Sequence, residues 1–286
     1  MNKRMPYLLL LPIILLGLLF FYGLLGGLAA SFGYIPALGL RGWTFEYYLE
    51  IIQNPAFIAS LGMSLWISVI SSVLSLLLGV LLTAALVYSG NTRGLAVTVL
   101  KLAILIPHTI VALFSISILS QNGIIARLFY QLGWISNQTQ FPQLLFTGHQ
   151  FGTIAAYVWK EMPFVAYFSL ALMSNINKSL GEAAENLGAS KWKSFFYVTL
   201  PLSMPAIQKA FLIILTFSFG AYDLPFLLGA TLPKALPVAA YVEYTHPDLL
   251  HRPYAMAANG VILAITWLMA GVYYWLTKQE KGGGHA

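Results

Sequence analysis

Residues 181–207 read GEAAENLGASKWKSFFYVTLPLSMPAI, a polar and charged stretch that lies between two long apolar segments. Its polarity predicts a connection outside the apolar layer of a bilayer. Ala183 and Ala184 give its first half a face of small side chains, which lets another surface approach closely. The plain alternative is an ordinary amphipathic surface helix with no partner.

The spacing of capping residues predicts a helix–turn–helix in this connection. Ser179 and Glu182 have the S-x-x-E spacing of a capping box, which marks a helix start. Gly188 is expected to end that helix, because glycine adopts a positive φ without steric cost. A second helical stretch, SKWKSFFYVTL, follows, and it is expected to be limited by Pro201 and Pro205.

The composition of the whole chain predicts a membrane protein. Of its 286 residues, 59% are hydrophobic and 8% are charged, whereas soluble domains have about 25% charged residues. So few charges cannot cover the surface of a soluble protein of this size. The apolar runs are continuous rather than alternating, which favours helices over a β-barrel. The chain has no cysteine, which excludes disulfides, thiolate metal sites and cysteine nucleophiles.

Six apolar segments predict six transmembrane helices, so the expected fold class is an all-α membrane protein. A transmembrane helix needs roughly 20 mostly apolar residues, and every segment reaches that length. In chain order the segments cover about residues 7–31, 60–88, 95–119, 147–173, 206–228 and 254–276.

The distribution of Lys and Arg predicts that both termini lie in the cytoplasm. With the N-terminus inside, most of the basic residues fall in inside segments, and the loop at about 175–205 is cytoplasmic. The net charge of +6 is explained by this topology rather than by binding to nucleic acid. Lys3 and Arg4 precede the first apolar run, which is too long for a signal peptide, so we expect a retained first span.

The pattern in the cytoplasmic loop resembles the EAA motif of the permease subunits of ABC importers. That motif reads EAA, three residues, Gly, nine residues, then Ile-x-Leu-Pro. This chain departs from it at one position, where Val198 replaces Ile. The matching residues are Glu182, Ala183, Ala184, Gly188, Leu200 and Pro201.

This resemblance implies a type I ABC importer permease (MetI-like) fold, with residues 1–286 as a single permease domain in a bacterial-type inner membrane. It implies that the six matching residues couple the chain to an ATPase subunit dimer. The other implied partners are a second permease subunit, of a different sequence, and an extracytoplasmic solute-binding protein. The implied cofactors, ATP and Mg, belong to the ATPase, and this chain is expected to bind none.

The sequence also lacks features that other functions require. It contains no G-x-x-x-x-G-K-[ST] phosphate-binding loop, so ATP hydrolysis is expected in a separate chain. A secondary transporter driven by an ion gradient is one alternative, but no internal repeat is evident. An integral-membrane enzyme is another, but no motif links the candidate acids and bases, so no catalytic or metal-binding residue is predicted.

Polar residues inside the predicted spans are candidates for the translocation pathway, because charges in a membrane are costly. Glu161 and Asp223 each lie two residues before a proline, a pattern that predicts broken helices around a cavity. The alternative, left open here, is that these groups pair with one another or with a partner permease and only hold the helices together. The acids suit a small cation such as a polyamine, whereas Lys160 suits an anion. The full candidate set is His108, Lys160, Glu161, Tyr222 and Asp223.

Overall fold

The computed structural model describes the backbone of residues 5–282 and the side chains of residues 10–275. Residues 1–4, which include Lys3 and Arg4, and residues 283–286 lie outside the described backbone. In chain order the helices are α1 (Met5–Ser31), α2 (Glu46–Gln53), α3 (Pro55–Tyr88), α4 (Leu95–Leu105), α5 (His108–Leu119), α6 (Ile124–Gln131), α7 (Phe151–Ile176), α8 (Glu182–Asn186), α9 (Lys191–Ser194), α10 (Leu200–Gly220), α11 (Asp223–Leu228), α12 (Leu236–Tyr244) and α13 (Arg252–Gly282). Two π-helical turns, Asn177–Gly181 and Phe195–Thr199, join α7 to α8 and α9 to α10.

Five helical segments of the described residues are long and apolar enough to cross a membrane. They are Leu10–Ser31, Pro55–Tyr88, His108–Gln131, Lys191–Gly220 and Leu249–Trp275. The predicted single helix at 95–119 is wrong, because Pro107 separates α4 from α5. The predicted span at 147–173 corresponds to α7, which is not among the five and carries two charged residues. The all-α membrane fold is therefore confirmed, while the count of six spans stays a prediction.

The chain divides into two compact units, of which the larger comprises Ala59–Ala235 and Ile265–Ala286. In this unit α7 packs against α4 and α10. Hydroxyl side chains bridge the buried helices: Thr83 lies 3.1 Å from Ser169, and Ser72 lies 3.3 Å from Ser218. Small hydroxyl residues at helix interfaces let backbones approach closely and satisfy one another where water is excluded. The larger unit is therefore a packed helical body held partly by polar contacts.

The smaller unit comprises Met1–Ile58 and Leu236–Ala264. The short helix α2 carries Tyr47 and Tyr48, and its side chains are tied to the rest of this unit. The hydroxyl of Tyr48 donates to the Ser31 hydroxyl at 2.8 Å. The hydroxyl of Tyr254 donates to the Glu50 carboxylate at 2.5 Å. These bonds fix α2 to the ends of α1 and α13.

Candidate functional site

The polar connection between α7 and α10 does not begin as predicted. The α-helix of α7 continues through the π turn Asn177–Gly181 directly into α8, so no new helix starts at Ser179. The Ser179 hydroxyl donates to the Asn175 carbonyl at 2.9 Å. The predicted capping box with Glu182 is therefore wrong. In a continuous helix the backbone amides already bond to the preceding turn, and none remains free for a cap.

Gly188 ends α8, as predicted. Its φ of +95° lies in the left-handed region, which glycine adopts at low cost. The Gly188 amide donates to the Glu185 carbonyl at 2.9 Å, and the Ala189 amide donates to the Ala184 carbonyl at 3.0 Å. These two bonds form a Schellman motif, which satisfies the last carbonyls of the helix. We call the unit formed by α8, the turn at 187–190 and α9 the hairpin.

The second arm of the hairpin is also longer than predicted. The Ser190 side chain accepts a hydrogen bond from the Lys193 amide and caps α9. The chain then runs through the π turn Phe195–Thr199 into α10, which contains both Pro201 and Pro205. The prediction that these prolines limit the helix is wrong. Pro201 lies in the first turn of α10, where a missing N–H is tolerated, and the wider π turn precedes it.

The two arms of the hairpin are fastened at its base, where the two π turns face each other. The Ser194 hydroxyl is buried and donates to the Gly181 carbonyl at 3.0 Å. A Cβ atom added at Gly181 would lie 2.7 Å from the Asn177 side-chain oxygen and 3.2 Å from the Thr199 hydroxyl, so a larger residue would have to displace the Asn177 side chain. The Tyr88 hydroxyl, at the end of α3, donates to the Lys191 carbonyl at 3.3 Å. The hairpin is therefore a rigid extension of the helical body.

The tip of the hairpin exposes apolar side chains. Leu187 is 90% exposed and Trp192 is 72% exposed. Glu182 and Ala183 are exposed beside them, and Ala184 is half-buried. The motif resemblance missed Leu187 and Trp192, although large apolar residues in a polar loop were a signal of a covered surface.

The other predicted coupling residues lie away from the tip. Leu200 is half-buried and packs against the core cluster that contains Phe195 and Met173. Pro201 is exposed and lies in the first turn of α10. Glu182 and Ala183 are therefore exposed at the start of the first arm, Gly188 lies in the turn at the tip, and Leu200 supports the base of the second arm.

Lys160 on α7 lies against the break between α4 and α5. Its side chain is 8% exposed. The ammonium donates to the carbonyl of Ala103 at 3.1 Å and to that of Ile104 at 2.7 Å, and it also donates to the Ile106 carbonyl. A positive charge is favourable at a helix C-terminus, where carbonyl groups lack backbone partners.

Glu161 is buried among small polar groups. It is 4% exposed, and one carboxylate oxygen accepts a hydrogen bond from the Ser75 hydroxyl at 3.3 Å. Among the described residues, its other carboxylate oxygen has no hydrogen-bond partner, and neither does the hydroxyl of the fully buried Tyr157 one helical turn away. Lys160 and Glu161 do not form an ion pair with each other. This agrees with the sequence, because adjacent residues of a helix do not face each other.

The predicted span at 206–228 is interrupted near Asp223. α10 ends at Gly220, and Asp223 is exposed in the first turn of the short helix α11. The predicted helix break before Pro225 is therefore confirmed, whereas the cavity that it was expected to line stays a prediction. The corresponding break at Pro163 is wrong, because α7 continues through that residue.

The remaining pathway candidates lie near α11. The rings of Tyr222 and Phe226 stack with centroids 4.7 Å apart. The His108 ring lies 5.1 Å from the Phe217 ring of α10. The helix α11, which begins at Asp223, packs against α5, which begins at His108. Within the described residues, no group of three or more His, Asp or Glu side chains could hold a metal ion.

Comparisons with known proteins agree with this architecture. The sequence model of the family described as binding-protein-dependent transport system inner membrane component matches residues 75–279. The diacetylchitobiose uptake system permease protein DasB of Streptomyces coelicolor is 29% identical, over 84% of this chain and 75% of DasB. The putrescine transport system permease protein PotI of Escherichia coli K12 is 27% identical, over 84% of this chain and 80% of PotI.

A solved structure has the same fold. It is the crystal structure of a bacterial alginate ABC transporter in complex with an alginate pentasaccharide-bound periplasmic protein. One of its chains aligns with a TM-score of 0.79 and 22% identity, covering 97% of this chain and 95% of that one.

Proposed function

The chain belongs to the family of binding-protein-dependent transport system inner membrane components, and we propose that its hairpin docks onto an ATP-hydrolysing partner. As a member of that family it is a multi-pass permease subunit of an ABC importer of the inner membrane, not an enzyme. The alternatives of a gradient-driven transporter and an integral-membrane enzyme are set aside by this membership.

The observation that carries the docking proposal is a rigid hairpin with an uncovered apolar tip. Leu187 and Trp192 expose their side chains on a polar connection. If this connection lies in water, lipid does not cover the two side chains, and they mark a surface for a protein partner. Glu182 and Ala183 flank this tip. A partner cleft with an apolar floor and a basic or polar rim complements such a surface.

The same geometry suits the transmission of movement. α8 is continuous with α7, and α9 is continuous with α10 through the second π turn. A partner that moves the hairpin therefore applies force to two long helices at once. ATP binding and hydrolysis in that partner, with Mg, would then drive the permease between its inward-open and outward-open states.

The proposed assembly contains a dimer of the ATPase and a second permease chain. An extracytoplasmic binding protein delivers the solute on the opposite face of the membrane. In this arrangement the hairpin and both termini lie in the cytoplasm. The excess of Lys and Arg in the corresponding segments supports that orientation.

For the solute we propose a small organic cation such as a polyamine. Asp223 offers an exposed carboxylate, and one buried carboxylate oxygen of Glu161 has no hydrogen-bond partner within the part of the chain that the structure describes. Lys160 does not oppose a cation strongly, because three carbonyl dipoles already surround its ammonium. The similarity to a putrescine permease supports the same class, whereas the similarity to a diacetylchitobiose permease supports a sugar.

Capture of the ATPase tests the docking proposal. The chain is purified through a tag from its native membrane, and the ATPase that accompanies it is quantified. Leu187→Glu places a charge at the tip and should abolish the capture. The matched control Leu232→Glu changes a leucine that is 76% exposed on the connection after α11 and should retain it. Equal capture by both variants would reject the hairpin as the docking surface.

Uptake by the whole complex in liposomes, together with its binding protein, tests the solute. Uptake of each labelled solute, putrescine, diacetylchitobiose or sulfate, is measured in the same preparation while the other two compete unlabelled. Competition by putrescine alone supports the cation proposal. Competition by the disaccharide or by sulfate alone would reject it.

A further inference from the structure

The break between α4 and α5 leaves carbonyl groups without their usual helical partners. Pro107 has no N–H, so it cannot donate to the Ala103 carbonyl four residues earlier. The other carbonyls in the last turn of α4 also lack backbone donors, as they do at the end of any helix. In a membrane segment, such groups need another donor, because water is not available to supply one.

Lys160 supplies that donor from a different helix. Its ammonium has three N–H groups, and it bonds to three carbonyls, those of Ala103, Ile104 and Ile106. No N–H of the ammonium remains for an anionic solute. This observation argues against Lys160 as a binding group for the solute and in favour of a role within the protein.

The helix that carries Lys160, α7, is continuous with α8, the first arm of the hairpin. α7 runs without interruption from Phe151 to the π turn at Asn177–Gly181 and into α8. The far side of the break is the start of α5, where His108 contacts Phe217 of α10. The two long helices that extend the arms of the hairpin therefore both reach the break, α7 through Lys160 and α10 through Phe217.

We propose that Lys160 is a positioning residue that fastens the end of α4 to α7, so that a movement of the hairpin displaces the break between α4 and α5. The proposal rests on the docking function proposed above. α4 and α7 then move as one body, and the break beside His108 and Asp223 is the point at which the hairpin's movement reaches the pathway.

A pair of spin labels tests this proposal directly, because the chain has no native cysteine. One label replaces Leu105 at the end of α4, which is 75% exposed, and the other replaces Leu172 on α7, which is 38% exposed. The distance between the labels is measured in the purified complex with and without ATP. The labelled chain should give a single narrow distance distribution that ATP does not change.

Three variants separate fastening from a general contribution to stability. Lys160→Met should lose the narrow distribution, whereas Lys160→Arg, which keeps the charge and several donors, should retain it. Lys209→Met, which removes an exposed lysine from α10, should leave it unchanged. If the methionine variant cannot be purified in useful amounts, Lys160→Gln replaces it. Glutamine keeps two N–H donors, but its side chain is too short to reach all three carbonyls.

A narrow distribution in Lys160→Met or Lys160→Gln would overturn the proposal, and so would a native distance that changes with ATP. These outcomes differ from a failure of the docking function. If the ATPase does not accompany the chain, the nucleotide-free distances of the native protein and of the variants still decide whether Lys160 fastens α4 to α7.

Discussion

Replacement of Gly188 by valine tests the hairpin through its backbone alone. The φ of Gly188 is +95°, and a Cβ atom added there would meet no atom within 4 Å. The added Cβ meets no neighbour, so we expect the effect within the chain to come mainly from holding a residue with a Cβ in the left-handed region. That cost is roughly 1–2 kcal/mol, and it is greater for a β-branched side chain. A change of this size shifts an equilibrium by a factor of about 5–30.

We expect this cost to appear as weaker docking rather than as loss of the fold. The Schellman bonds of Gly188 and Ala189 orient the tip, whereas the base of the hairpin is held separately by Ser194 and Gly181. The Gly188→Val variant should therefore insert and purify normally. Its affinity for the ATPase, measured by titration of the purified partner, should fall by about 5- to 30-fold.

Asparagine at position 188 is the matched control. It adds a side chain of similar size but adopts the left-handed region more readily than other residues with a Cβ. Gly188→Asn should therefore bind the ATPase nearly as tightly as the native chain. If valine binds as tightly as glycine, or if asparagine is as weak as valine, the left-handed turn does not govern docking.

Three further predictions concern the hairpin surface, the topology and the pathway. Glu182→Lys should weaken ATPase capture without lowering the thermal stability of the chain, since Glu182 is exposed and forms no capping box; a fall in melting temperature with normal capture would contradict this. Single cysteines at Ser179 and Gln138, both exposed, should react with an impermeant reagent from opposite sides of the membrane, and labelling from one side would reject the predicted topology. Asp223→Asn should reduce uptake of a cationic solute while ATPase capture persists; uptake equal to that of the native complex would remove Asp223 from the pathway.

The sequence predicted the parts of the fold that depend on local chemistry. Long apolar runs required helices in lipid, because no other element satisfies its own backbone groups. Gly188 was identified as a helix end because the left-handed conformation depends on the residue itself. Pro107 also carried a local signal of a helix break, which the prediction of one span at 95–119 overlooked.

Features that depend on contacts between helices could not be predicted in the same way. The π turns before α8 and α10 have no distinctive residues, and they replaced the capping box expected at Ser179. From the sequence alone, Lys160 was interpreted as a costly charge inside a span. Its three carbonyl partners lie more than fifty positions earlier in the chain, so no local pattern indicated them. The exposure of Asp223 followed from the end of α10 at Gly220, which hydropathy alone does not mark.

The paired π turns also set the direction in which each arm of the hairpin points about its helix axis. An α-helix rotates by about 100° per residue, so removing one residue from a single π turn would swing one arm out of phase with the other. The Ser194–Gly181 bond joins the arms at the level of both turns, and it tolerates no such mismatch. Insertions and deletions in the two arms of related hairpins should therefore occur as compensating pairs, with the tip re-aimed as a unit rather than broken.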